Sequence, residues 1–113
     1  MNFRRGDIVL VLFPDSNLRT SKRRPALVVQ ANELGLGLPQ TIVAMITSNL
    51  GRAGHASRVL VRVSSVRQSG LLMDSVIMTD NLATVHDAEI DRVLGTLPDL
   101  TEVEASLRRT LAL

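Results

Sequence analysis

The stretch Thr41–Thr47, TIVAMIT, says most about the architecture, because it is rich in β-branched side chains and apolar between its two terminal threonines. Such a run is typical of a strand that is buried on both faces of a sheet. Further apolar or alternating runs of strand length lie on either side of it, and together they predict a mainly β protein. These runs are Ile8–Phe13, Pro25–Gln30, Arg58–Val63, Ser75–Thr79, Ala83–Val85 and Arg92–Leu97.

Two polar segments separate the first strands. Pro14–Arg23 (PDSNLRTSKR) is rich in turn-forming residues and is predicted to be a long exposed loop. Ser48–Ser57, which contains Gly51 and Gly54, is predicted to be a second loop.

One helix is predicted, at the C-terminal end of the sequence. Thr101–Glu104 (TEVE) matches a capping box, in which the threonine hydroxyl and the glutamate carboxylate bond the free amides of the first turn. Val103, Leu107 and Leu111 share one stripe and are expected to pack on the sheet. Short strands, long loops and one terminal helix favour a small, strongly bent sheet or barrel, forming a single domain over residues 1–113.

Composition excludes several classes of protein. The chain has no cysteine and two histidines, His55 and His86, which are too few for a cysteine- or histidine-built metal centre. No apolar run approaches the roughly 20 residues that a membrane-spanning helix requires, and the N-terminal MNFRRGD lacks the apolar core of a signal peptide. We therefore expect a soluble cytoplasmic protein without a cofactor, a metal or a membrane contact.

The charges are unevenly distributed, although the net charge is only +2. Residues 1–67 carry ten Lys and Arg against three acids, a balance of +7, whereas residues 68–113 carry three against eight, a balance of −5. Twelve of the thirteen basic residues are arginines, which suit bidentate contact with phosphate. This composition suggests an anionic partner for the first part of the chain, with an ordinary solvated surface as the alternative.

Four short motifs lie in order along the chain: Arg5–Val9 (RGDIV), Arg24–Val29 (RPALVV), Thr41–Ser48 (TIVAMITS), and Gly70 followed by Asp74–Ile77 (DSVI). In this order and spacing they resemble the MazF/PemK family of toxin ribonucleases. The resemblance implies an SH3-like barrel with a C-terminal helix, usually paired as a homodimer. It also implies metal-independent cleavage of single-stranded RNA, in which the ribose 2′-OH attacks the adjacent phosphorus.

The same resemblance assigns Arg24 and Thr47 as the catalytic pair. A guanidinium is rigid and permanently charged, so Arg24 suits the non-bridging oxygens of a phosphate, and the Thr47 hydroxyl can donate to the same phosphate. Ser48 can assist it. A free arginine is a poor general base, so any proton that Arg24 moves is given as an acid, or another group performs the abstraction.

Other residues are assigned to substrate binding by position. Asp80 follows the DSVI strand, where the family tends to place an acid, and it can orient Arg24 or contact a base edge, with a simple turn residue as the alternative. Arg19, Lys22 and Arg23 belong to a loop that resembles the family's substrate-covering loop but lacks its Gly-x-Glu-Gln element. Met78 stands where some relatives carry an arginine that is proposed as proton donor.

The expected partners are single-stranded RNA, a second copy of the chain, and a cognate antitoxin whose acidic flexible tail covers the basic groove; any DNA binding would occur through the antitoxin. Two rival functions stay open at this point. One is a CcdB-like gyrase poison on the same fold, which the C-terminal sequence Thr-Leu-Ala-Leu disfavours. The other is a non-catalytic RNA-binding module, because an RNA binder and a nuclease require the same positive surface.

Overall fold

The computed structural model of the chain describes residues 3–14, 21–32, 34 and 37–113. In this part of the chain, six strands form one antiparallel sheet and are followed by one α-helix. Single 3-10 turns cover Leu50–Arg52, Arg67–Ser69 and Asp87–Glu89. The elements are β1 Asp7–Pro14, β2 Ser21–Val28, β3 Gln40–Thr47, β4 Arg58–Val61, β5 Ser75–His86, β6 Ile90–Thr96 and α1 Thr101–Leu111.

The strand order is β4-β5-β3-β2-β1-β6, so β4 and β6 are the two ends of the sheet. No ladder joins these ends among the described residues, but the turn Arg67–Ser69 packs against β6. There Gly70 lies against the carbonyl of Leu94, and Gly95 lies against the backbone of Gln68 and Ser69. A mainly β fold with a C-terminal helix is therefore confirmed, with a strongly curled sheet in which a turn after β4 contacts β6.

Both faces of the curled sheet are apolar. The alternation of side chains along each strand sends Val43 and Met45 of β3 to one core cluster, and Ala44 and Ile46 to the other. All four side chains are buried, which confirms the prediction that this strand is covered on both faces. Helix α1 covers the Ile46 side, where Val103 is 1% exposed.

Two strands are longer than their apolar runs predict. β2 begins at Ser21, so the predicted loop Pro14–Arg23 is wrong over its last three residues, while its positions 15–20 lie outside the described part of the chain. Residues Ser75–Thr79 and Ala83–Val85 belong to one strand, β5. A bulge makes this possible, because Met45 pairs with Met78 whereas its neighbour Ala44 pairs with Leu82.

Helix α1 spans Thr101–Leu111, but the predicted capping box is wrong. The structure places the cap at Leu100, and the amide of Thr101 bonds the carboxylate of Asp99 at 3.0 Å. Leu107 is partly buried on the core as predicted, whereas Leu111 is 49% exposed. In the described residues, no helix has the length and apolar character required to cross a bilayer.

Candidate active site

Arg24 and Thr47 lie just beyond the point where β2 and β3 stop pairing. The ladder between these strands joins Ala26–Val28 to Val43–Met45 and goes no further. Pro25 has no amide hydrogen, which explains why the ladder ends beside it. Continuing the same antiparallel register by two residues brings Arg24 opposite Thr47, and residues opposite one another project from the same face.

Two grooves open on either side of this point, and both are lined by Arg24, Ile46 and Thr47. We call the first, of about 360 Å³, the small groove. We call the second, of about 530 Å³, the large groove. The small groove is completed by Met45, Arg52, Met78 and Asn81, and the large groove by Leu10, Arg23, Pro25, Ser48, Gly70, Leu71, Leu72, Met73, Ser75, Arg92 and Leu94.

The grooves lie on opposite faces of the sheet. Met45 and Met78 of the small groove belong to one core cluster, whereas Leu71 and Leu94 of the large groove pack against the other. Arg24 and Thr47 therefore stand at the edge between two faces. A ligand that occupies either groove reaches the same guanidinium and the same hydroxyl.

The Thr47 hydroxyl is held by the turn that follows β3. Its oxygen accepts a hydrogen bond from the amide of Asn49 at 3.2 Å, and the Asn49 side chain accepts one from the amide of Gly51 at 3.1 Å. Within the described part of the chain the Thr47 hydroxyl donates to no other group, so its proton can be donated to a ligand. Thr47 is half-buried, and the neighbouring Ser48 is exposed in the large groove.

Four arginines line the grooves. Arg24 is exposed and shared by both, Arg52 lies in the small groove, and Arg23 and Arg92 lie in the large groove. Arg23 is also 3.6 Å from the carboxylate of Asp91. Sequence reasoning missed Arg92, because it belongs to the acidic part of the chain. Arg92 reaches the site because Leu10 pairs with Pro25 on one side and with Arg92 on the other, and this pairing has no local signature in the sequence.

Asp80 is bonded to Arg58 and not to Arg24. Nε and Nη2 of Arg58 each donate to one oxygen of the carboxylate, both at 2.9 Å, while Nη1 donates to the carbonyl of Arg52 at 3.0 Å. The hydrogen bonds from Arg58 lower the pKa of Asp80, and the same bonds raise the pKa of Arg58. Asp80 therefore does not orient Arg24, contrary to the expectation from the sequence. Through Arg58 it connects the β5 bulge to the loop that carries Arg52.

The remaining predicted binding residues fall outside the grooves or outside the described chain. Lys22 is exposed on β2, opposite Phe13 of β1, and lines neither groove. Arg19 lies outside the described residues. Among the described residues, neither groove is lined by a carboxylate or an imidazole, and no three His, Cys, Asp or Glu side chains are grouped to hold a metal.

Comparison with known proteins places this chain in a family. A relative from Mycobacterium tuberculosis, endoribonuclease MazF6, is 32% identical over 105 residues, with 90% of each chain covered. Residues 4–111 match the model for a PemK-like, MazF-like toxin of type II toxin-antitoxin systems.

Solved structures share the fold. The M. tuberculosis toxin MazF-mt6 superposes with a TM-score of 0.72 at 24% identity, covering 95% of this chain and 97% of that chain. A mycobacterial endoribonuclease in complex with its cognate antitoxin superposes with a TM-score of 0.76 at 18% identity, covering 99% of this chain and 97% of that chain. A MazE-MazF structure from Deinococcus radiodurans superposes with a TM-score of 0.76 at 20% identity, covering 98% of this chain and 97% of that chain. Because the family model matches residues 4–111, the chain belongs to the PemK-like, MazF-like toxin family.

Proposed function

We propose that this protein is the toxin of a type II toxin-antitoxin system and acts as a metal-independent, sequence-specific endoribonuclease on single-stranded RNA. One observation carries the assignment: Arg24 and Thr47 come together where β2 and β3 separate, and both line each of the two grooves. Family membership and relatives that are named endoribonucleases support the same activity.

The proposed reaction transfers the phosphoryl group within the RNA. The 2′-oxygen forms a bond to phosphorus as the bond to the 5′-oxygen breaks, which leaves a 2′,3′-cyclic phosphate and a 5′-hydroxyl. One proton leaves the 2′-hydroxyl and one reaches the departing oxygen. Arg24 and the hydroxyl of Thr47 stabilise the negative charge that gathers on the non-bridging oxygens in the transition state. Charge stabilisation of this kind contributes about 3–4 kcal/mol per well-placed donor.

The grooves provide the binding surface for the strand. Arg23 and Arg92 supply positive charge on one side of the scissile phosphate, and Arg52 supplies it on the other. Asn81 adds an amide group to the small groove. The chain has two phenylalanines and neither tyrosine nor tryptophan, so stacking on aromatic rings contributes little. Arginine planes, hydroxyls and amides therefore recognise the RNA.

The proposed partners follow from the same charges. Antitoxin complexes occur among the structural neighbours, and an acidic flexible tail would complement the four arginines that line the grooves. We also propose that the active form is a homodimer in the cytoplasm, where its RNA substrate is found. DNA contact, if the complex makes any, comes from the antitoxin.

The test is cleavage of RNA by purified protein in EDTA. We expect the wild-type protein to give products that end in 2′,3′-cyclic phosphate. Arg24→Ala and Thr47→Ala should each lower kcat/KM by about a hundredfold or more, because each removes a donor to the developing charge. The matched controls are Arg108→Ala and Thr84→Ala, which change exposed residues that line neither groove.

Four outcomes would contradict the proposal. Full activity of Arg24→Ala would remove the assigned role of the guanidinium. Cleavage that EDTA abolishes would contradict a metal-independent reaction. Intact RNA together with inhibited DNA gyrase would favour a gyrase poison on the same fold, and RNA that is bound but never cut would favour the non-catalytic module.

A further inference from the structure

Three hydroxyl groups form a connected chain between α1 and the β5 bulge. The oxygen of Thr79 lies 2.7 Å from that of Ser106 and 3.0 Å from that of Thr110. Ser106 in turn donates to the carbonyl of Ala56 at 2.7 Å. Thr79 and Ser106 have no exposed surface, and Thr110 is half-buried. Hydroxyls in such a setting adopt an ordered pattern of donation, because an unmade hydrogen bond is costly there.

Carbonyl groups of the loop before β4 accept hydrogen bonds from this cluster. The Thr79 hydroxyl donates to the carbonyl of Ser57 at 2.9 Å, and the backbone amide of Thr79 donates to the same carbonyl at 2.9 Å. The Ser106 hydroxyl donates to the carbonyl of Ala56, which also accepts from Nη2 of Arg109 at 3.2 Å. Thr79 is therefore bonded both to the loop and to α1, and the cluster ties the bulge, the loop and the helix together.

The hydroxyl chain joins the two segments that form one wall of the small groove. Thr79 begins the bulge that carries Asp80 and Asn81, and Ala56 ends the loop that carries Arg52. Arg58 links the same two segments on the solvent side, because it bonds both the Asp80 carboxylate and the Arg52 carbonyl. The bulge and the loop are thus held from the core by hydroxyls and from the surface by a guanidinium.

We propose that Thr79, Ser106 and Thr110 are positioning residues for the nuclease reaction, acting through the placement of Arg52 and Asn81 opposite Arg24 and Thr47. This inference rests on the proposed endoribonuclease activity. Its physical basis is that a displacement of about 1 Å in a group that holds the substrate can lower the rate by about a hundredfold. Helix α1, which lines neither groove, thereby takes part in the geometry of the site.

The main variant is Thr79→Val, which removes the hydroxyl and preserves the shape of the side chain. Its control is Thr41→Val, which removes another buried threonine hydroxyl, one that donates to Asp87 at 2.8 Å at the far end of β3. We expect both variants to lose similar thermal stability. Thr79→Val should lower kcat/KM by about ten- to a hundredfold, whereas Thr41→Val should cleave RNA as the wild type does. Thr79→Ser, which keeps a hydroxyl, should recover most of the rate.

Two readouts separate positioning from general weakening of the fold. The first is binding to an RNA that the wild-type protein cuts, with a 2′-deoxy nucleotide at the cleaved position, measured over a range of salt concentrations. Arg52→Ala should reduce the magnitude of the slope of log K against log salt by about 0.7, the value of one phosphate contact to a single strand. Thr79→Val should also reduce the magnitude of this slope. The second is a double variant: with Arg52 already replaced, Thr79→Val should cost much less activity than it does alone.

The outcomes are distinct. If the wild type cuts RNA and Thr79→Val cuts as fast as Thr41→Val, the positioning role is wrong and the proposed function stands. Additive losses in the double variant would also overturn it. If the wild type cuts no RNA, the proposed function itself fails. Should Thr79→Val not fold, Thr110→Val at the half-buried end of the hydroxyl chain allows the same measurements, and a rate equal to that of Thr41→Val would again overturn the positioning role.

Discussion

At the scale of single residues, the ion pair between Arg58 and Asp80 has the most specific geometry near the candidate site. Two parallel N–H···O bonds of 2.9 Å match the planar guanidinium to the planar carboxylate, an arrangement that lysine cannot reproduce. The third bond, to the carbonyl of Arg52, ties the pair to the small groove. The pair therefore serves both the stability of the bulge and the placement of a proposed phosphate-binding residue.

The pair makes stability depend on pH in a defined direction. The bonds from Arg58 lower the pKa of Asp80 below its ordinary 3.8, so the unfolded state binds more protons than the folded state on acidification. The stabilisation by Asp80 is fully present above pH 3.8 and is lost as pH falls through the lowered pKa. We expect the free energies of unfolding of wild type and Asp80→Asn to differ near neutral pH and to converge in strong acid. A difference that stays constant to the lowest pH would contradict this account.

Some residues of the candidate site can be identified from the sequence and others cannot, for a physical reason. Arg24 and Thr47 are identifiable because each stands at the end of an apolar strand within a motif that resembles a known family. Arg92 carries no such mark, since its place in the large groove depends on pairing between β1 and β6. The sequence predicts Asp80 beside Arg24, but the partner of Asp80 is set by the register between β4 and β5, where Arg58 lies opposite Met78.

At the scale of elements, the turn Arg67–Ser69 lies with its backbone directly against the backbone of β6. A Cβ atom added to Gly95 would overlap the carbonyl of Gln68, and one added to Gly70 would overlap the carbonyl of Leu94. Gly70 also has a φ of 70°, which side chains rarely adopt. Two glycines therefore allow the turn to approach β6 this closely.

We expect Gly95→Ala to destabilise the protein strongly, by about 2–3 kcal/mol, because the obstructing atoms belong to the backbone and cannot rotate away. Gly54→Ala is the control, since an added Cβ meets open space there and only the backbone φ of 96° opposes it. That strain is about 1 kcal/mol. Urea unfolding of both variants measures the difference. Equal stabilities would show that the turn approaches β6 less closely than the Gly95 contact implies.

Element boundaries differ from their sequence-based predictions for local reasons. β2 extends through polar residues to Ser21 because β1 provides a partner for them, with Lys22 opposite Phe13 and Arg23 opposite Leu12. The polar residues Thr79–Asn81 suggest the end of a strand, whereas a bulge carries the chain through them. The TEVE pattern predicts a cap at Thr101, in which the Thr101 amide bonds the Glu104 carboxylate. In the structure this amide bonds the carboxylate of Asp99 instead. Pairing partners and competing acceptors decide these positions, and neither is visible in hydrophobic periodicity.

At the scale of the whole molecule, folding redistributes the charge. The basic part of the sequence supplies Arg23, Arg24 and Arg52 to the grooves, and the acidic part supplies Arg92. The acids of the second part are used elsewhere, for example in the ion pairs of Arg58 with Asp80 and Arg62 with Asp74. The positive surface around Thr47 is therefore a property of the folded sheet and not of one segment.

This surface predicts how RNA affinity responds to salt. If the four groove arginines each neutralise one phosphate of a single strand, log K should fall with log salt at a slope of about −3. Fluorescence anisotropy with an RNA that carries a 2′-deoxy nucleotide at the cleaved position measures this slope. Arg92→Ala should reduce its magnitude, and the exposed helix variant Arg108→Ala should leave it unchanged. A slope near zero would mean that these arginines do not contact phosphate.

The open ends of the sheet have a further consequence, for self-association into fibres. β4 and β6 each pair with one strand, and the turn Arg67–Ser69 contacts β6 around Leu94 and Gly95, so β4 and the first part of β6 keep an outer row of backbone donors and acceptors that another chain can match. β4 has only four residues, and an arginine stands at its start and just after its end. β6 presents exposed Asp91 and Arg92. Short length and solvated charges on a strand edge discourage such matching, so the arginine that we assign to phosphate binding also helps to keep the molecules dispersed.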